Sequence, residues 1–392
     1  MIIITSGADI AHLHEFLPTE RLGVVCELTF LEQDLLLRKL SCHDNYTHLL
    51  FNTALTCVAV IEVAAVWFKS LPCLSHLSII NTRTIPIHII ENFCNTISQS
   101  LSIQHLDLSG LFLGPEGAYY VAQALQHSSI HSLRVANNNI QANGCMHLLK
   151  CDLRHLCLDD NNIHPKSWRR CFEKATVQLK KVELPGHTFD ETSIVALGHW
   201  LNRMQLTHLN LNRTNVNGEL LKILCAAIKH HPTLLSLKLC ECDLEDYDMM
   251  AIYKLIQQNT VLRTLLLERN PILLRGQLAL ICGLQKNFTL KTLGLDPIPD
   301  YAGGFLAPVL KMRKELEPGE TPTGHIIRLL SHNRELNLAN SFWTPKNHFF
   351  HPRETQLRVL FVLWLLKKKN IPYDIVYHIL SFWYGVQRPI YI

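Results

Sequence analysis

Apolar residues recur along this chain at offsets that neither a helix nor a strand can use over its whole length. In LTHLNLNRTNVN, residues 206–217, they fall at Leu206, Leu209, Leu211 and Val216. A helix favours spacings near 3.6 and a half-buried strand spacings of two. The frame nevertheless returns many times. It reads LSHLSIINTRTI from Leu74, IQHLDLSGLFLG from Ile103, IHSLRVANNNIQ from Ile130, LRHLCLDDNNIH from Leu153 and LKKVELPGHTFD from Leu179. LLSLKLCECDLE from Leu234 and LRTLLLERNPIL from Leu262 continue it, with a degenerate copy at Tyr46 and a fading one at Leu290. Most starts lie 26 to 29 residues apart, with one short unit of 23 after Ile130. A fixed period of this length marks stacked repeats.

Between frames the apolar pattern turns helical, as Leu220, Leu221, Ile223, Leu224, Ala227 and Ile228 show. Each unit therefore predicts a short strand, a turn and a returning helix. No unit buries its apolar face alone, but strands stacked about 4.8 Å apart share one core. Right-handed connections then give an α/β solenoid, a curved horseshoe with parallel strands on the concave side and helices on the convex side. The ninth frame residue fits this scheme. It is Asn138, Asn161 or Asn270 in three units and Thr82, Thr214 or Cys242 in others. A buried amide there can satisfy turn backbone that otherwise lacks partners.

The frame LxxLxLxxNxI, with DLSGLFLGPEGAYYVAQAL from Asp107 to Leu125, resembles the leucine-rich repeats of the ribonuclease-inhibitor type. The resemblance covers residues 46–300. It implies a recognition scaffold, in many relatives a cytosolic one. The texture, rich in Leu, His and Asn with uneven repeat lengths, is also similar to leucine-rich-repeat effectors of intracellular bacteria, which act in a host cytosol.

Composition narrows the partner. A net charge of +4 over 392 residues supplies no basic stripe for phosphates, so nucleic acid is not expected. The opening MIIITSGADI lacks the basic residues of a secretory signal peptide. The most apolar runs, 57–68 and 359–366, fall short of the roughly 20 residues that cross a bilayer. A soluble, cytoplasmic chain is the expectation. Thirteen cysteines without a CxxC pair suggest reduced thiols packed as small apolar groups.

Strand alternation sends frame positions three, five and seven to the concave face. Position three holds His48, His76, His105, His155 and His208 among ten residues. With Lys181 there, position five adds Asp107, Arg134, Glu183, Asn210 and Lys238; positions seven and eight add Asp159, Asn212, Arg213, Glu241, Glu268 and Arg269. Interleaved charges of both signs suit a partner protein recognised by complementary charge. Aromatic anchors are absent from these positions, and Phe342, Trp343, Phe349 and Phe350 in SFWTPKNHFFHP are the candidates outside them. Those four rings serve equally well as a plug for the end of the core. Imidazoles at His48, His76 and His105 have the chemistry to share a metal or to charge together in acid. A position that accepts any polar residue yields the same row, so no metal and no cofactor are assigned.

A solenoid needs caps, and residues 1–45 and 301–392 are available, the latter as a small, mainly helical domain. Within the first, Leu17, Pro18, Glu20, Leu22, Val25, Asp34, Leu35, Leu36 and Cys42 resemble an F-box. That resemblance implies docking to a Skp1-type ubiquitin ligase as a substrate adaptor. The same segment also reads as a cap or degenerate repeat. Catalytic motifs such as GxSxG, HExxH and GxxxxGK[ST] are absent. Cys151-Asp152 and Cys242-Asp243 resemble the Cys-Asp element of bacterial leucine-rich-repeat ubiquitin ligases, but lie beside or within repeat frames. The expected function is non-enzymatic protein binding.

Overall fold

The structure is a computed structural model that describes residues 2–4, 21–24, 46–52, 64–66, 71–80, 85–176 and 178–296, with shorter pieces at 9, 32, 35–36, 68–69, 326 and 328–331. The chain divides into two compact units. The first comprises Met1–Leu244 with Leu267–Asn270, the second Glu245–Leu266 with Pro271–Ile392.

Among its described residues the first unit carries ten strands in chain order, all paired in parallel. They are β1 Ile2–Ile4, β2 Arg21–Val24, β3 His48–Asn52, β4 His76–Ile80, β5 His105–Asp107, β6 Ser132–Arg134, β7 His155–Cys157, β8 Lys181–Glu183, β9 His208–Asn210 and β10 Ser236–Lys238. Register places equivalent frame positions side by side. Leu22, Leu49, Leu77, Leu106, Leu133, Leu156, Val182, Leu209 and Leu237 form one continuous row, and all are buried. Full burial of each such side chain contributes roughly 1.5–3 kcal/mol, which makes this row the spine of the core. The ladder thus runs N-terminally past the recognisable frames. Leu22 and Val24 of the F-box-like segment are core residues of β2. Leu17, Pro18, Glu20, Val25, Asp34 and Cys42 lie outside the described residues.

Among the described residues, six helices return the chain between the later strands: α1 Ile87–Ile97, α2 Gly114–Leu125, α3 Gln141–Leu148, α4 Ser167–Lys174, α5 Glu191–Arg203 and α6 Gly218–Ile228. The longest of them, α5, shows why they form. Asp190 accepts the Ser193 backbone N–H at 2.8 Å, Glu191 and Arg203 complement the helix dipole, and Ile194, Leu197, Trp200 and Leu201 form its buried face. The short unit after Ile130 ends in α3 and is followed by another short helix, α4. Here aromatic volume fills the interior: Trp168 stacks on Phe172 at 5.1 Å, and Phe172 on Trp200 at 5.2 Å.

The turns repeat as faithfully as the strands. The eighth frame residue has positive φ in seven units: Gly110, Asn137, Asp160, Gly186, Arg213, Glu241 and Arg269. Non-glycine residues tolerate this only where the surroundings hold them. The ninth residue supplies that hold. Asn161 donates to Val135 O at 2.7 Å and Leu158 O at 2.9 Å, while its Oδ1 accepts from the backbone N–H of Asn138 and Ile140 at 3.1 and 3.3 Å. Asn138 and Asn270 likewise donate to backbone carbonyls and accept from two backbone N–H groups at their own turns. Thr214 keeps one part of it, donating to Leu211 O at 2.7 Å. His187 takes the ninth position in the Leu179 frame, and its Nε2 donates to Leu158 O at 2.8 Å. Thr82 lies outside the described residues.

The second unit contains α7 Met249–Gln258, β11 Thr264–Leu266, α8 Leu274–Leu284 and β12 Thr292–Gly294, with β11 and β12 parallel. Asp246 holds the start of α8 by accepting the backbone N–H of Leu273 at 2.7 Å and of Arg275 at 3.3 Å. Asn287 braces the return from α8, donating to Ile256 O at 2.7 Å and accepting from the Leu290 N–H at 2.7 Å. Beyond Asp296 only residues 326 and 328–331 are described, and they are helical. The expected C-terminal domain otherwise lies outside the described residues, as do Phe342, Trp343, Phe349 and Phe350.

Candidate functional site: an open strand face

Positions three and five of β3 to β10 form a polar face on the first unit. At one end, register brings His48, His76 and His105 into line. Their rings stack with centroids 3.9 Å apart at each step and planes within 13° and 10°, and His131 meets His105 edge-on at 5.0 Å. Burial, followed by the neighbouring His131, His155 and His48, holds the His105 imidazole below its ordinary pKa.

Glu183 organises the centre. Its Oε1 accepts from Lys181 Nζ at 2.6 Å and His155 Nε2 at 2.9 Å, and lies 3.7 Å from an Arg134 nitrogen. Arg134 also pairs with Asp107 at 3.5 Å, and Ser132 meets His155 Nδ1 at 3.0 Å. Six residues from four strands thus share one network. Burial alone would raise the Glu183 carboxyl; hydrogen bonds from His155 and Lys181, with the charges of Lys181 and Arg134, outweigh it and hold the group well below the carboxylate range. Glu183 is only 8% exposed, so it departs from the expected exposed contact: it is the buried anion that positions the exposed cations.

Next to it, the Cys157 thiol donates to Asp159 Oδ1 at 3.1 Å. Burial raises both groups above their ordinary values, the thiol strongly. Ligand atoms of Cys157, Asp159 and Glu183 lie within 4.8 Å of one another. The Glu183 carboxylate already holds two cationic side chains and an imidazole, which makes the cluster an ion-pair hub rather than a metal centre.

The remaining predicted residues divide. Arg213 reaches Asp160 at 2.9 Å, over Gly186, where an added Cβ would overlap the Asp160 carboxylate. Arg269 pairs with Glu241 at 2.8 Å, and Glu268 accepts from the Cys240 thiol at 3.0 Å. Asn212 Oδ1 accepts the Cys240 backbone N–H at 2.9 Å. Asn210 likewise accepts from the Asn212 N–H at 3.0 Å. His208 is exposed, with burial and then Lys181 and Lys238 holding its pKa down. Position three also places Ser132 on this face, whereas sequence reasoning did not single out Cys157 or His131. Frame position five would have found Cys157, and His131 enters from position two through its contact with His105.

The two Cys-Asp pairs lie in the packed repeats. Burial pushes the Cys151 thiol up to about 12 and also raises Cys242, a poor state for a nucleophile. Among the described residues, no helix is long and apolar enough to cross a membrane.

Parallel strands in frame register, returning helices and the asparagine-braced turns define a leucine-rich-repeat fold of the ribonuclease-inhibitor type. No protein-family profile matches the chain. Among curated proteins it is 28% identical over 218 residues to human NACHT, LRR and PYD domains-containing protein 14, a match covering 52% of this chain and 20% of that protein. It is 26% identical over 211 residues to mouse NACHT, LRR and PYD domains-containing protein 4C, covering 50% and 21%. The matches thus span about a fifth of those relatives. Among solved structures, the leucine-rich repeat-containing protein LegL7 from Legionella pneumophila is 14% identical with a TM-score of 0.49, covering 84% of this chain and 96% of that one. The TLR13–ssRNA13 complex gives 13% identity and a TM-score of 0.40, covering 77% and 53%.

Proposed function

We propose that this chain is a non-enzymatic scaffold that captures one partner protein on the strand face from β5 to β10. The Glu183 hub carries the proposal: a buried anion fixes Lys181, Arg134 and His155 at hydrogen-bond or ion-pair distances. Cations fixed before encounter lose less side-chain entropy on binding, and interleaved signs select a complementary surface. The partner presents carboxylates opposite Arg134, Lys181 and Lys238. Buried thiols such as Cys94, Cys145 and Cys171 suit a reducing compartment, so we place the encounter in a cytosol, the host's if the chain is a bacterial effector. Both curated relatives carry LRR in their names, in keeping with a scaffold.

Affinity capture from cytosol with the full chain and with Arg134→Gln/Lys181→Gln/Lys238→Gln tests this proposal. A protein partner retained by the parent and lost from the variant, with unchanged circular dichroism, is the expected result. Equal retention by both removes the β5–β10 face from consideration.

A further inference from the structure

We propose that His231 is an acid-released latch: neutral, it ties the end of α5 to the segment entering β10, and on taking up a proton it lets that joint open. The inference is separate from partner capture and survives its failure. It begins with position. His231, Asn259 and Asn287 each stand three residues before the first leucine of a frame, Leu234, Leu262 and Leu290. Asn259 Oδ1 accepts the backbone N–H of Val261 at 2.9 Å and of Leu262 at 2.7 Å. Asn287 Oδ1 accepts from Thr289 at 2.9 Å and Leu290 at 2.7 Å, while its Nδ2 donates to Ile256 O of the preceding helix at 2.7 Å. His231 reproduces this set with a ring. Its Nδ1 faces the N–H of Thr233 at 3.3 Å and of Leu234 at 3.1 Å, and its Nε2 faces Leu201 O of the preceding helix, α5, at 3.0 Å.

These partners fix the protonation state. Two N–H donors require Nδ1 to accept, and a carbonyl opposite Nε2 requires the proton there. An amide keeps this arrangement in acid, whereas an imidazole loses it. A proton on Nδ1 turns an acceptor into a donor aimed at two other donors and leaves the Thr233 and Leu234 N–H groups without that partner. The charge-bearing side chains at the C-terminal ends of α5 and α6, namely His199, Arg203, Lys229 and His230, are all basic, so none of them favours an imidazolium. Arg203 is itself turned to Phe172 O at 3.3 Å. His231 is 1% exposed, and burial holds its imidazole below the ordinary pKa, outweighing the Leu201 carbonyl, which favours the charged form. With the folded value below the unfolded one, the contribution of the latch is complete above about pH 6.5 and is lost as pH falls from there through the folded value. The two asparagine joints carry no titrating group in this role.

Hydrogen exchange of the full chain from about pH 7.5 down to about pH 5, corrected for the intrinsic pH dependence of amide exchange, tests the latch. Protection of the peptide that contains Thr233 and Leu234 is expected to fall about tenfold per pH unit below about pH 6.5, the slope of one proton taken up on opening. Protection of the peptide that contains Val261 and Leu262 should hold steady over the same range. His231→Asn, which supplies the amide found in the two later repeats, should keep protection at about pH 7.5 and remove the acid response. Equal acid responses at the two joints of the parent, or an undiminished response at Thr233 and Leu234 in the variant, overturns the latch. The comparison of the two joints within the parent decides the matter by itself if His231→Asn does not fold.

Discussion

The inner turns and the strand face come from the same repeated frame, yet they use polar side chains in opposite ways. In the turns, Asn161 is fully buried and its five partners are all backbone groups. On the face, Glu183 is nearly as buried, but its partners are side chains from β6, β7 and β8. Backbone partners recur in every unit, so one residue type is favoured again and again. Side-chain partners differ from unit to unit, so each rung can carry its own chemistry. The turn therefore maintains the stack, and the face is free to specify a partner.

Replacing Asn161 with Leu should break this comparison most severely. The backbone N–H groups of Asn138 and Ile140 and the carbonyl of Val135 lose this partner in the interior, and an orphaned buried group costs about 1–3 kcal/mol, so a loss of about 4 kcal/mol in urea unfolding is expected. Glu183→Gln should cost less, about 1–2 kcal/mol near neutral pH, because Lys181 and Arg134 retain access to water. Its pH dependence has a definite sign. The Glu183 carboxyl is held below its unfolded value, so its contribution is complete above the ordinary carboxylate pKa and is lost as pH falls through the folded one. Parent and variant stabilities should converge in acid.

Gly186→Ala acts on the joint between the two regions. It puts a Cβ at φ +72° and against the Asp160 carboxylate, with an expected loss of about 1–2 kcal/mol. A crystal structure of the variant should show Arg213 displaced from Asp160. The smallest effect belongs to Lys222→Ala on α6, which removes an exposed pair with Glu219 and should stay within about 0.5 kcal/mol.

The same contrast explains what the sequence discloses. Leu209 and Leu211 reveal the strand because apolar spacing reflects one local period, and Asn138, Asn161 and Asn270 reveal the turn because they recur in frame. His187 escaped notice at the ninth position because an imidazole does not look like an amide, although it reaches the same kind of carbonyl. The histidine row was legible as a row, while the stacking of its rings emerges only from the fold. For Glu183, periodicity gives direction and not the crowding supplied by Arg134, His155 and Lys181. Asn212 shows the converse: a polar residue on an outward position was spent on the Cys240 backbone.

Hydrogen exchange of the captured complex against the free chain tests the central claim most directly. Added protection on binding should concentrate in the strands from β5 to β10, including His105–Asp107 and Lys181–Glu183, while α2, α5 and α6 remain unchanged. Protection confined to the helices, with those strands unaltered, would contradict partner capture on the strand face.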